Sequence, residues 1–302
     1  MNTEFTILTI AAMTVMLGAC NKSEKVENKA PEYITVSTGI GTMNKLSNAS
    51  DGSQSFTAGD QISVYVWTGS PDTSPAEFVV NNSINTLGDD NKWNAAPQML
   101  WKNLTDKHYF IGIYPKTDVT DLSRLSHKVE MAKQMESDLL VAAELTGKIA
   151  QTAPVPLTFN HMMSKVNIEL SYRDQWTEEY QNQGGIPDVD KVTIENVTDE
   201  ATINCLAGTV TAVGNRATIT MPQVEKNLKY STIIVPQSGI RTVAVTIKGK
   251  NYTYTHGEDI KFESGKITTI KLIVGRNQAV IGDVTINNWA AGQTIDEGEA
   301  LD

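Results

Sequence analysis

Cysteine is nearly absent from this chain, with two in 302 residues, Cys20 and Cys205. Because Cys20 closes an N-terminal apolar run, the body of the protein keeps a single thiol and cannot hold an internal disulfide. Cys205, in Ala-Thr-Ile-Asn-Cys-Leu-Ala-Gly, has strand-like neighbours and reads as an inert packed thiol rather than a nucleophile. Positive charge is also scarce: 25 Lys and Arg stand against 35 Asp and Glu, for a net charge of -10. No basic stripe is visible, which excludes a nucleic-acid partner, since phosphate binding needs clustered cations. Apart from the run Phe5 to Leu17, no apolar stretch approaches the length of a membrane span.

Catalytic patterns are missing as well. The four histidines, His108, His127, His161 and His256, have no spacing that builds a metal site, so no metal and no cofactor is expected. There is no Gly-x-Ser-x-Gly elbow and no phosphate loop. Gly39-Ile-Gly41 lacks the third glycine of a dinucleotide fingerprint and reads as a turn. Asp89-Asp90 and the pair Asp188 and Asp190 lack the ligand spacing and closing Glu of a calcium loop; they read as solvated loops. His161, between Phe159 and Met162, reads as a hydrogen-bonded, half-buried imidazole. An enzyme is not indicated.

What is present begins at Leu17-Gly18-Ala19-Cys20. A short apolar run closed by small residues is a secretory signal, too short for a mature span. Its ending resembles the bacterial lipobox, in which the cysteine is acylated and becomes the first residue of the mature chain. Residues 1–19 are thus a lipoprotein signal, and Cys20 is the expected lipidation site. More than one acyl chain, at about 0.8 kcal/mol per buried methylene, holds a protein stably on a membrane. Residues 20–32 are a polar tether in which Val26 is the one large apolar side chain. Its Lys, Ser and Glu content resembles the surface-export signals of Bacteroidetes lipoproteins.

From Tyr33 onward the dominant period is two. Strands are expected at Tyr33 to Thr38, Ile62 to Val66, Glu77 to Val80, Met99 to Trp101 and His108 to Tyr114. The stretch Val119 to Ala143 is open between a strand and a short helix. From Pro154 a second half begins, with strands through Leu170 and then repeatedly from Lys191 to Ile286, punctuated by Gly208, Gly214, Gly239, Gly249 and Gly265. A single helix is expected from Asp174 to Gln183, with Trp176 and Tyr180 one turn apart. At 40% hydrophobic and 20% charged residues, the chain has material for two domains. Evenly spaced strands with Gly-marked turns predict an all-β protein of antiparallel sandwiches, over 33–158 and 159–302.

The order of several short motifs carries a resemblance. After Leu-Gly-Ala-Cys20 come Phe56-x-x-Gly59-Asp60-x-Ile62-x-Val64-Tyr65, Tyr114-Pro115, Asp138-Leu-Leu-Val-Ala142 and Leu157-x-Phe159-x-His161-x-x-Ser164-Lys165-Val166. Then follow Ile233-Ile-Val-Pro-Gln237, Phe262-x-Ser264-Gly265-Lys266 and Ile286-x-x-Trp289. In this order the mature chain resembles the fimbrillin family of Bacteroidetes, the pilins and their lipoprotein relatives. The resemblance implies two tandem transthyretin-like sandwich domains, a cell-surface location, an outer-membrane anchor at Cys20 and no enzymatic activity. It also implies a part in adhesion through a host or bacterial receptor, with other pilin subunits joined by strand exchange. In the family's shaft subunits a protease cuts after an Arg in the N-terminal domain, releases the first strand and leaves a groove that a neighbour's strand fills. No Arg precedes Arg124, so processing would fall at Lys45 or elsewhere before Ser55. That absence favours an uncleaved anchor, while the acidic tail from Ala290 to Asp302, a poor donor strand, favours a tip; shaft, tip and anchor stay open. An alternative from another class is a surface glycan-binding lipoprotein, which would need an aromatic platform from Trp67, Trp93 or Trp101.

Overall fold

The strand that explains the architecture is one whose residues are buried on both faces. In the computed structural model, which describes residues 32–41, 55–275 and 279–288, Gln61–Thr68 is buried from Ile62 to Trp67 without a break. Ile62, Val64 and Val66 enter one core, and Tyr65 and Trp67 enter another behind them. A strand covered on both faces reads as a continuous apolar run rather than an alternation. The sheet around it is therefore the middle layer of the N-terminal half.

Seven strands make that sheet: β1 (Val36–Ile40), β2 (Gln61–Thr68), β3 (Val80–Leu87), β4 (Trp93–Ala96), β5 (His108–Tyr114) and, beyond two elements of the intervening segment, β7 (Leu140–Lys148) and β8 (Val155–His161). Their order is β1-β8-β7-β5-β2-β3-β4. Between β5 and β7 lie β6 (Leu125–Lys128) and the short helix α1 (Gln134–Ser137), so the stretch left open between strand and helix holds both. At its centre Gly112 of β5 faces Val64 and Ala142 across the ladders. A Cβ there would stand 2.7 Å from the Phe159 ring, so the glycine is what admits that ring to the core.

The second half supplies β9 (Ser164–Tyr172), α2 (Asp174–Glu179), β10 (Val189–Val197), β11 (Glu200–Asn204), β12 (Thr209–Val213), β13 (Ala217–Thr220) and β14 (Gln223–Glu225). It ends with β15 (Lys229–Ile234), β16 (Gln237–Ile247), β17 (Lys250–Phe262), β18 (Lys266–Val274) and β19 (Ala279–Asn288). A four-stranded sheet, β13-β10-β16-β17, and a five-stranded sheet, β14-β15-β9-β18-β19, enclose one core. Val192, Ile194, Val243 and Val245 come from the first, and Val166, Ile168, Ile270 and Leu272 from the second. Each such side chain, fully buried, contributes about 1.5–3 kcal/mol. Trp176 of α2 sits in the same core, edge-on to Tyr252 with ring centroids 5.7 Å apart.

The two halves are not separate along the chain. β11 and β12 join β6 in a three-stranded sheet, and Ala201, Ile203 and Cys205 pack with Leu125, Tyr65 and Trp67. Residue 158 lies inside β8, which completes the seven-stranded sheet.

Three expectations need correction. The sheets are not purely antiparallel: β1 runs parallel to β8, and β18 runs parallel to β9. In both pairs the partners lie far apart in sequence, which leaves room for the long crossover that a parallel pairing requires. No strand covers Glu77 to Val79; β3 begins at Val80 and continues through the Asn-rich stretch to Leu87. Residues 99–101 form an isolated bridge, Leu100 opposite Tyr33, and not a strand.

Candidate functional site

The open feature of the molecule lies where the two ends of the seven-stranded sheet approach one another. β1 bonds to β8 through its odd-numbered residues: Thr35 O accepts from Val155 N, and Gly41 N donates to Phe159 O. The backbone groups of Val36, Thr38 and Ile40 therefore point the other way, where no described strand pairs with them. β4 is the opposite end of the sheet. Its hairpin with β3 closes through Gly88 N to Lys92 O, so Asn94 and Ala96 face β3, and the backbone of Trp93 and Ala95 points outward.

Between these two edges runs a groove of about 830 Å³, lined on one side by β1 and on the other by Leu87, Trp93 and Ala95. At one end residues 32–34 close it against residues 99–101, through Ile34 N to Met99 O at 3.0 Å and Trp101 N to Glu32 O at 3.1 Å. Farther along, a side-chain bond crosses the gap, Trp93 Nε1 donating to Thr38 Oγ1 at 3.0 Å. Phe56 packs at the groove at the centre of an aromatic cluster, with ring centroids 5.4 Å from Trp93, 5.3 Å from Tyr114 and 5.2 Å from Phe159, each edge-on. Tyr114 donates in turn to Asp60 Oδ1, and burial with this carboxylate beside it pushes its hydroxyl up to about 12. The groove is lined by apolar residues such as Val36, Phe56, Leu87 and Trp93 together with polar ones such as Thr38, Asn94 and Lys92, and it carries two strips of backbone groups that no described strand pairs. That combination suits an extended polypeptide, and no His, Cys, Asp or Glu is among the described residues that line it.

The residues singled out in the sequence fall as follows. Cys20 and Lys45 lie outside the described residues, as do Trp289 and the acidic tail. Cys205 is buried, its N–H bonded to Leu122 O, and burial pushes the thiol up to about 12, which leaves it unreactive. The aromatic platform of the glycan-binding alternative is not formed: Trp67, Trp93 and Trp101 are 0%, 9% and 8% exposed, packed into cores rather than presented. Their indoles are spent on internal bonds, Trp67 to Ser70 O and Trp101 to Tyr33 O.

Asp89 and Asp90 stand in the exposed β3–β4 turn, where Asp90 pairs with Lys92. Asp188 pairs with Lys226, and Asp190 accepts from Gly249 N. Among the described residues no cluster of His, Cys, Asp or Glu fits a metal, and no helix is long and apolar enough to cross a membrane. His161 is buried rather than half-buried, its Nδ1 within 2.9 Å of Asp138, which ties the end of β8 to the turn ahead of β7. The sequence reading missed the groove itself. Its one local signal was Gly88-Asp-Asp-Asn91 between Leu87 and Trp93, a hairpin turn with Asn91 in the left-handed region at φ 59°.

Comparison with known proteins fits this picture. The sequence pattern of the fimbrillin-like family matches residues 47–289, and no protein of curated function matches the chain. Among solved structures, a candidate cell adhesion protein from Bacteroides uniformis superposes with a TM-score of 0.64 at 18% identity, covering 85% of this chain and 98% of that one. A second, from Bacteroides ovatus, gives 0.65 at 16% identity and covers 88% and 100%. The tip fimbrial protein Mfa3 from Porphyromonas gingivalis, with a C-terminal truncation, gives 0.51 at 8% identity over 77% and 95%. At such identities the superpositions establish the fold, and the sequence match establishes kinship. The chain belongs to the fimbrillin-like family and is a structural protein, not an enzyme.

Proposed function

We propose that this protein is a structural subunit of a cell-surface fimbria that acts in adhesion, built from two transthyretin-like sandwich domains in tandem, with the boundary after β8 rather than within it. Acyl groups on Cys20 hold its precursor at the outer membrane, and residues 20–32 are the tether. Neighbouring pilin subunits join it by β-strand complementation. Where the first strand is released, the cut falls at Lys45, in the segment between β1 and Phe56.

The observation that carries this reading is the groove between β1 and β4. A sheet edge with unpaired N–H and C=O groups is a template for another strand, and folded proteins normally blunt or cover such edges. Here two of them face each other across a groove of mixed apolar and polar lining, and strand addition gains affinity from the main chain and specificity from alternate side chains. Membership of the fimbrillin-like family supports the same reading. The buried tryptophans remove the feature that a glycan-binding lipoprotein would have required.

The test is the intact mass and N-terminus of the protein extracted from its native cell surface, beside an unheated denaturing gel. The reading expects the protein in a detergent-resistant ladder, with an N-terminus either at acylated Cys20 or within residues 45–55. A chain that starts elsewhere and runs only as a monomer overturns it.

A further inference from the structure

Large apolar side chains left in solvent are few, and they are not scattered. Of the seven exposed among the described residues, four sit at one end of the seven-stranded sheet: Tyr33 at 52%, Leu100 at 46%, Leu104 at 50% and Ile149 at 52% exposure. The ladders place them there. Tyr33 precedes β1 and bridges to Leu100, and Val36 pairs with Val155 at the start of β8. Lys148, the last residue of β7, faces His108, the first of β5, so Ile149 and the 101–107 turn lie at this same end. β1, β8, β7 and β5 are neighbours in the sheet, which spreads the four side chains over about 15 Å. The turn that carries Leu104 is fixed by Asn103, whose Oδ1 accepts from Thr105 N at 3.0 Å and from Asp106 N at 2.7 Å. One exposed side chain needs no explanation, but a group of them at one end of a sheet marks a contact.

We propose that this end of the sheet is the face the protein sets against a lipid surface, with the four side chains reaching into its headgroup layer. This rests on the acylation of Cys20 and specifies how the anchored protein is oriented. The covalent path decides the occupant. The acylated residue joins the folded chain at Glu32 and Tyr33, within the patch, through residues 21–31, a path of at most about 45 Å when fully extended. No other exposed apolar residue among those described is so near the anchor along the chain. Charge settles the kind of surface. On the segments that carry the patch, Lys102 and Lys107 stand against Glu32 and Asp106, and Lys148 pairs with Glu144, so the attraction is apolar and the surface a zwitterionic one. Tyr33 has an aromatic body with a polar tip, the kind of side chain that settles at a headgroup layer. Four side chains are too few to hold the protein unaided. The acyl chains keep the lipid at high local concentration, and the patch then fixes which end points at it. β8 runs from this end at Val155 to His161 at the other, so the chain enters its second half, with β9, from the end turned away from the lipid.

The scarcity of thiols makes the test direct. Cys205 is buried and an acylated Cys20 has no free thiol, so Leu104→Cys, Ile149→Cys and, on β14, Val224→Cys each give one accessible position for an environment-sensitive fluorophore. Val224 is 69% exposed and serves as the comparison site. Each full-length variant is expressed in the native host and its acylated form reconstituted into phosphatidylcholine vesicles; the same label in a Cys20→Ala background is measured in solution. The inference expects labels at positions 104 and 149 to shift to the blue in vesicles and to lose most of their quenching by iodide, while the label at 224 stays quenched. In solution all three should be quenched. Labels at 104 and 149 that are as quenchable in vesicles as the one at 224 overturn the inference and leave the anchor standing. Labels already protected in the soluble background show a second copy, or the chain itself, covering the patch, and overturn it as well. A wild-type protein that carries no acyl mass and does not float with vesicles removes the anchor reading, and this inference with it.

Discussion

Two imidazoles show how single residues set this protein's response to acid. Lys102 N donates to His108 Nε2, and His108 Nδ1 lies 3.0 Å from Asp106 O, so the ring is held as the neutral Nδ1–H tautomer between a donor and an acceptor. Burial lowers its affinity for a proton, and it does the same at His127, whose Nε2 donates to Ser137 O. Because both folded values lie below the unfolded one, the unfolded chain binds more protons in the interval between them. Their contribution is complete above about pH 6.5 and is lost as pH falls below it, at about 1.4 kcal/mol for each unit of depression. Asp121, held low by Ser123, and Asp259, held low by Arg241, act in the same direction only below the usual carboxylate range. Urea unfolding should therefore show stability falling as pH drops below about 6.5, and the double variant His108→Gln, His127→Gln should flatten that slope. An unchanged slope would place the acid sensitivity elsewhere.

Among the elements, α1 is small but has a defined task. β14 covers the outer edge of β15 only as far as Tyr230, and Ser231 N finds Pro222 O. Beyond that, Gln134 of α1 stands in for a strand, its Oε1 accepting from Ile233 N and from Thr232 Oγ1. Gln134→Ala should leave a buried N–H without an acceptor and lower the unfolding free energy by about 1–3 kcal/mol, measured in urea, with the native spectrum retained. No trace of this was readable in the sequence, since a glutamine that meets a strand end 99 positions away has no local signature. Strands with strong alternation, such as β9 and β18, and strands with continuous apolar runs, such as β2 and β5, were legible because burial wrote itself into their pattern. β4 and the first residues of β3 were not: Trp-Asn-Ala-Ala and Val-Asn-Asn-Ser carry weak strand chemistry, and tertiary pairing decides them. The groove was hidden for a related reason. It is made by the approach of sheet ends whose register, Val36 opposite Val155, no nearby residue encodes. Phe56 was seen as part of a motif, but its place among three other aromatic rings was not.

For the molecule as a whole, the seven-stranded sheet carries a core on each face, and the β6-β11-β12 sheet brings strands of both halves of the chain into one of them. On the proposed reading, attachment is a separate matter that rests on Cys20. Cys20→Ala should fold with the same thermal midpoint as the unmodified chain and be recovered in the soluble fraction instead of the outer membrane, by fractionation and immunoblot. Retention of that variant in the membrane would show that the anchor lies elsewhere. The parallel pairing of β1 with β8 carries a consequence for synthesis. The chain leaves the ribosome from its N-terminus, so β1 emerges before any of its partner has been made. It waits while β2, β3, β4, β5 and β7 can already pair among themselves, and the entropy of closing so long a loop comes due when β8 arrives. The first strand to be born is thus the last of the seven-stranded sheet to be seated, and once β8 has paired with β7 its free flank waits for β1.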